Sequence, residues 1–311
     1  MIKNLKLKIM RPVGFHQRIE KIVKEASTNV TKKSGWKKIT KCLACNNKNN
    51  EDWLLKNNII IKNCLNCGLG FASKQPKNLD DIYNLKSEII DKKKTHKVRA
   101  KYFTKTFGKE RIKFIKKFKK SGNLLDYGCG TGEFANLAQS TFNTFAYDYS
   151  KKMALFVNRT YKIKSYNNIE DIKKKFDVIT MYDVIEHLEN PKKTLNVLMK
   201  QLKKDGVIVI YTPNKNSLAF DLLREKSNLC TTPYHLTYFT INSMKKILKK
   251  NFEIVYSKTY GLDIADIWAF IRDNQNFKIT KKEENKLLSF QSVIDKINYS
   301  NHLRIVIKKI K

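Results

Sequence analysis

Leu124-Leu125-Asp126-Tyr127-Gly128-Cys129-Gly130-Thr131-Gly132-Glu133-Phe134 reads as a strand end, a tight turn and a helix start. Glycines let backbone lie flat against a ligand and reach positive φ, and the helix behind the turn points its free N–H groups the same way. The spacing is Gly-x-Gly-x-Gly, not the Gly-x-Gly-x-x-Gly of dinucleotide sites. An acid, Asp126, stands two residues ahead of the first glycine. That acid repels a pyrophosphate and attracts an amine-bearing, cationic ligand.

Downstream of the turn, helix-like and strand-like patterns alternate. Phe134, Leu137 and Ala138 share a helix face, and residues 144–148 make a strand. Ser150 caps a helix carrying Met153, Phe156 and Val157, and residues 176–181 make another strand. Asn190-Pro191 opens a helix with Leu195, Leu198, Met199 and Leu202 on one face. Asp205-Gly206 ends it, and residues 207–211 form a buried strand. Such alternation predicts a parallel sheet covered on both faces. Two further strands, 252–256 and 303–307, enclose helical stretches at 265–272 and 281–297, read as an insertion over 261–302.

The acid with its Gly-x-Gly-x-Gly, and the Glu186-His187-Leu188 triplet before Asn190-Pro191, resemble motifs of the class I S-adenosylmethionine-dependent methyltransferases. The resemblance covers roughly residues 96–311. It implies an α/β, Rossmann-like, seven-stranded mostly parallel sheet with an antiparallel terminal strand, and S-adenosylmethionine as methyl donor. It places Asp126, Gly128, Cys129, Gly130 and Gly132 around the methionine portion, with Tyr149 and Tyr182 also in the donor site. Asp148, 22 residues after Asp126, falls where an acid accepts hydrogen bonds from ribose hydroxyls, the logic that also holds in dinucleotide folds; alone, an Asp at a strand end is an ordinary turn former. Asn168 and Ile169 fall in the loop that the family uses for adenine, although Asn is also a common loop residue.

Four of the six cysteines form two Cys-x2-Cys pairs, Cys42/Cys45 and Cys64/Cys67, eighteen residues apart. Two such knuckles joined by the hairpin strands around Trp53-Leu54-Leu55 and Ile59-Ile60-Ile61 suit one tetrahedral zinc ion. Four thiolates leave no open position, so the expected role is structural. Two disulfides, or knuckles without metal, are the alternatives; disulfides are disfavoured without an export signal. With Pro76 and the Leu79-x-x-x-Tyr83 segment, the arrangement resembles the small zinc-ribbon module that precedes many bacterial methyltransferase domains, often in sugar and cell-surface glycan pathways. Cys129 and Cys230 read as small packing residues. The chain therefore divides into a basic segment (1–38), a zinc-ribbon module (39–85) and a methyltransferase domain (86–311) with a leading helix at 96–120. In the basic segment, residues 18–25 suit a short helix. The amphipathic 1–10 stretch reads as a frayed terminus, with contact to a membrane surface as the other reading.

Two histidines follow strands of the main domain. His187, after the fourth strand, is either a general base for a hydroxyl acceptor or a residue packing the next helix. His235, in Pro233-Tyr234-His235-Leu236-Thr237-Tyr238, is either a base or acceptor-orienting group or a structural loop histidine. No Asn-Pro-Pro-Tyr follows the fourth strand, which disfavours base-amine methylation, and no Pro-Cys pair offers a nucleophile for pyrimidine C5 methylation. The expected acceptor is a small molecule or glycan precursor, a sugar or other anionic metabolite, methylated at oxygen or at carbon. An RNA methyltransferase and a non-catalytic S-adenosylmethionine-binding scaffold are the alternatives. The formal net charge of +35 invites the RNA reading. However, 55 of the 63 basic residues are lysines, scattered beside abundant Asn and Ile, which is the pattern of a solvated surface. No apolar run of 18 residues suits a membrane-spanning helix, and no secretory signal is evident, so the expected location is cytoplasmic.

Overall fold

The computed structural model describes residues 11–83, 104–275 and 280–310. The expected boundary near residue 96, part of the leading helix and the 1–10 stretch lie outside the described residues. In the N-terminal segment α1 (Phe15–Lys32) is far longer than the 18–25 helix expected, because Val23, Ala26 and Val30 make a buried stripe against Ile82 and Tyr234.

The cysteine region holds β1 (Trp36–Lys38), β2 (Asn50–Lys56), β3 (Ile59–Cys64), β4 (Gly70–Ala72) and β5 (Lys74–Pro76). β2 and β3 pair as the expected hairpin, and β1 pairs with β5. The main domain contains α2 (Lys109–Ile115), β6 (Asn123–Tyr127), α3 (Glu133–Ala138), β7 (Asn143–Tyr147), α4 (Lys151–Tyr161), β8 (Lys164–Tyr166) and β9 (Phe176–Tyr182). There follow α5 (Pro191–Gln201), β10 (Leu202–Pro213), α6 (Leu218–Leu223), β11 (Thr237–Tyr238), α7 (Ile241–Ile247) and β12 (Phe252–Tyr260). The insertion supplies α8 (Asp263–Gln275), α9 (Lys281–Ser289) and α10 (Gln291–Lys296), and β13 (His302–Lys309) closes the chain's last sheet.

The large sheet has the order β12-β13-β10-β9-β6-β7-β8. β8, β7, β6, β9 and β10 are parallel, and β13 runs antiparallel to both β10 and β12. Chain order reverses around β6, with β7 on one side and β9 on the other, so a crevice opens above the carboxyl ends of these strands. Ile179, Ile208, Ile210, Leu195 and Leu198 are fully buried beneath it. One boundary differs from the sequence reading: α5 stops at Gln201, and Leu202 already pairs with Phe176. The register then shifts before Val207, and Gly206 occupies the shift because a Cβ there would sit 2.7 Å from the Phe176 carbonyl oxygen.

The two regions share a sheet. β11, from the histidine-bearing loop, adds to the cysteine hairpin in the order β11-β4-β3-β2. Thr237 pairs with Phe71 and Tyr238 with Gly70.

Candidate active site

The glycine turn is pinned from below. The N–H groups of Gly128 and Cys129 donate to the Tyr147 carbonyl at 2.7 and 2.9 Å. Gly128 has φ +78° and a Cβ there would lie 2.5 Å from Val184, so this position requires glycine twice over. Gly130 faces open space, with nothing within 4 Å of where its Cβ would stand. Asp148, past the end of β7, accepts from Gly130 N–H (2.8 Å) and Ser150 N–H (2.9 Å), which fixes the turn and the start of α4 together. Tyr149 is 52% exposed, and Asn168 caps the turn containing Ile169. Cys129 is half-buried, and burial, with the charges of Asp126 and Asp148 beside it, pushes its thiol well above the usual range.

Asp126 stands two residues before the glycine turn. It is buried and accepts from Thr180 Oγ1 at 2.9 Å. Burial pushes its carboxyl up to about 7, against the opposing pull of Thr180 and Arg111. The fold therefore favours the protonated form. The stability linked to this proton is complete below the unfolded value near ~4 and is lost as pH rises through about 7. Asp126→Asn, which stays neutral, is expected to melt several degrees higher than the wild type at pH 8 and close to it at pH 4–5. Thermal unfolding at the two pH values checks this; a variant no more stable at pH 8 overturns it.

On the other side of the crevice, Glu186, His187 and His235 meet. A carboxylate oxygen and one nitrogen from each ring lie within 4.8 Å of one another. His187 Nδ1–H donates to the Tyr234 carbonyl and His235 Nδ1–H to the Leu229 carbonyl, both at 2.8 Å. Glu186 is buried and accepts from Thr212 Oγ1 at 2.8 Å. The two loops are tied by Leu236 N–H donating to the Glu186 carbonyl at 2.8 Å. Glu186 and His235 line a cavity of 730 Å³ walled by Arg11, Arg111, Arg304 and Tyr211. Arg304 pairs with both oxygens of Glu110, at 2.6 and 2.8 Å, and Arg111 lies over the Tyr182 ring at 4.1 Å. His302 stacks on Tyr211, and burial beside Arg11 and Arg111 pushes it down to about 3, so it is neutral. The Tyr182 hydroxyl is buried with no hydrogen-bond partner among the described residues.

The four cysteines of the knuckles form a second cluster, all sulfurs within 4.8 Å. Cys42 and Cys67 sulfurs are 3.5 Å apart and Cys45 and Cys64 sulfurs 3.6 Å, and none is in a disulfide. A tetrahedral ion with Zn–S bonds of about 2.3 Å needs edges of about 3.8 Å, so the donor set fits zinc. Asn46 and Gly68, each just after the second cysteine of its pair, both take positive φ, the turn that aims two sulfurs at one point. Cys230, outside the cluster, is buried and pushed up to about 12.

The sequence family described as methyltransferase domain matches residues 96–257, just over half the chain. The chain belongs to this family, in its class I, S-adenosylmethionine-dependent form. The methyltransferase is 31% identical over 153 residues to an uncharacterized protein of Methanocaldococcus jannaschii, a match that covers 47% of this chain and 62% of that one. It is 32% identical over 106 residues to ubiquinone biosynthesis O-methyltransferase of Rickettsia bellii, covering 31% and 44%. The chain thus spans roughly half of the curated relatives it matches. Among solved structures it is similar to an S-adenosylmethionine-dependent methyltransferase of Archaeoglobus fulgidus, with TM-score 0.47, 20% identity and coverage of 66% and 94%.

Sequence reasoning placed the glycine turn, Asp148, Asn168 and Tyr182 at or after the carboxyl ends of strands, and they follow β6, β7 and β8 or end β9, which lie side by side in the sheet. It named His187 and His235 separately; the structure brings their rings to 4.7 Å. It quoted Tyr83 as part of the zinc-ribbon resemblance without assigning it to the site. The Tyr83 ring lies 6.2 Å from that of Tyr149 and 6.5 Å from that of His187. Arg111, Arg304 and Thr180 were missed as well. For the two arginines the one sequence signal was that Arg is scarce here, eight among 63 basic residues.

Proposed function

We propose that this methyltransferase transfers the methyl group of S-adenosylmethionine to an oxygen of a small polar molecule, such as a sugar or glycan precursor. The observation that carries the reading is the Glu186–His187–His235 cluster, two members of which line a half-open cavity. A cavity of 730 Å³ suits a small molecule better than a polynucleotide. Oxygen as the methylated atom is supported by the relatives named ubiquinone biosynthesis O-methyltransferase.

S-adenosylmethionine supplies a methyl group made electrophilic by its sulfonium. In this reading the chain contributes three things. The N–H groups of the glycine turn and Asp148 hold the donor, with Asn168 and Ile169 against its adenine and Tyr149 and Tyr182 beside it. Asp126, ahead of the turn, biases the site toward a cationic ligand, whose charge favours the ionised carboxylate. The histidine cluster promotes loss of the acceptor's hydroxyl proton: since each Nδ1 donates to a carbonyl, the lone pair of an unprotonated ring sits on Nε2, the atom that takes that proton or ligates an ion. The cysteine cluster holds a structural zinc ion, and the 39–85 region acts as a module that completes the site.

Asp148→Ala is expected to weaken S-adenosylmethionine binding at least tenfold in calorimetry, because it removes both the ribose acceptor and the brace on Gly130. Unchanged affinity overturns the assignment. A radiolabelled methyl-transfer screen over sugars, quinones and tRNA identifies the acceptor class; labelling of tRNA alone overturns the small-molecule reading.

A further inference from the structure

We propose that Glu186, His187 and His235 bind a divalent transition-metal ion at the acceptor end of the crevice. The binding claim stands by itself; its role in catalysis rests on the methyl-transfer reading above. One carboxylate and two imidazoles offer ligand atoms within 4.8 Å of one another. Each imidazole is oriented as metal-binding histidines are, with Nδ1–H on a backbone carbonyl at 2.8 Å, which fixes the tautomer and leaves the lone pair on Nε2. Glu186 is oriented in turn by Thr212 Oγ1 at 2.8 Å. The loops that carry the ligands are held together by the Leu236 N–H to Glu186 carbonyl bond, so the donor set is in place before any ion arrives.

Nitrogen-rich donors with one carboxylate suit manganese, iron, cobalt, nickel or zinc rather than magnesium or calcium. Three protein ligands leave coordination positions open, as in catalytic rather than structural sites. Glu186 and His235 both line the cavity, so those positions face the space where an acceptor sits. The four-cysteine cluster differs on every count: it is all sulfur and closed.

The ion would sharpen the deprotonation step. An acceptor hydroxyl bound to it loses its proton to bulk water more readily. The oxygen lone pair then forms the bond to the methyl carbon as the methyl–sulfur bond breaks, and the donor leaves as a neutral thioether. Nothing is oxidised or reduced, and the imidazoles act as ligands rather than as the proton's destination.

Manganese(II) is a discriminating probe, because thiolate sites disfavour it. Full-length protein with zinc-filled cysteines is titrated with Mn²⁺ and the free-ion electron paramagnetic resonance signal is followed. The expected result is loss of that signal at one ion per chain, with at least tenfold weaker binding in His235→Gln and in Glu186→Gln. Calorimetric binding of S-adenosylhomocysteine, retained in both variants, shows that they are folded. A wild-type protein that leaves the signal that of free Mn²⁺, or variants that bind as tightly as the wild type, overturns the proposal. If Mn²⁺ binds as expected but no acceptor is ever methylated, the metal site stands and the methyl-transfer reading falls.

Discussion

His235→Ala is expected to lower methyl transfer by roughly two to four orders of magnitude while changing S-adenosylmethionine affinity less than about threefold. The separation follows from placement. His235 lines the 730 Å³ cavity from the loop before β11, whereas the donor site proposed above is built from the turns after β6, β7 and β8. His187→Ala is expected to produce a similar loss, since its ring lies 4.7 Å from that of His235 and the same short loops hold both. If the cluster works as one unit, the double variant is scarcely worse than either single one, because residues that share a step are not additive. Single-turnover rates measured with saturating donor isolate the transfer step. Rates within tenfold of wild type in both single variants would show that neither ring takes part in proton removal.

The glycine turn and its brace were legible in the sequence because their main requirements are local. Glycine at position 128 is demanded by its own positive φ, and the clash with Val184, from the turn after β9, only adds to that. Asp148 sits two residues before the backbone N–H it caps. The strands around these residues announce themselves by continuous apolar runs, and the sheet order follows from their alternation with helices. The acceptor side was legible only in fragments, because it is assembled from distant segments. Arg11, Arg111 and Arg304 come from three parts of the chain, and each is set by partners that no window of sequence contains. β11 has two residues, too few for any periodicity, and exists because the open edge of β4 accepts it. Asp126 shows the limit in the other direction. Its charge pattern was evident, but its burial, and the consequent rise of its carboxyl to about 7, belong to packing against Thr180 and β9.

The zinc ion that the cysteines fit is expected to control the histidine loop. Ejecting it with a mercurial, or replacing Cys64 and Cys67 together with Ser, should cost at least a tenfold loss of methyl transfer and a fall in melting temperature of roughly 10 °C or more. The path is short and specific. The Cys67 carbonyl accepts from Thr240 Oγ1 (3.4 Å) and Asn242 Nδ2 (3.3 Å), at the start of α7. Ala72 N–H, at the end of β4, donates to the Leu236 carbonyl at 3.0 Å, and Leu236 N–H donates to the Glu186 carbonyl. A knuckle that loses its ion frees β4, and with β4 goes the backbone on both sides of His235. The glycine turn is held instead by β7 and α4. Zinc content by mass spectrometry, melting by circular dichroism and donor affinity by calorimetry, measured on the same sample, separate the possibilities. Donor affinity held within threefold while transfer collapses is the expected pattern. Full transfer in metal-free, reduced protein would mean that the cysteine module merely adjoins the domain, and a parallel loss of donor binding would mean that the whole chain had unfolded.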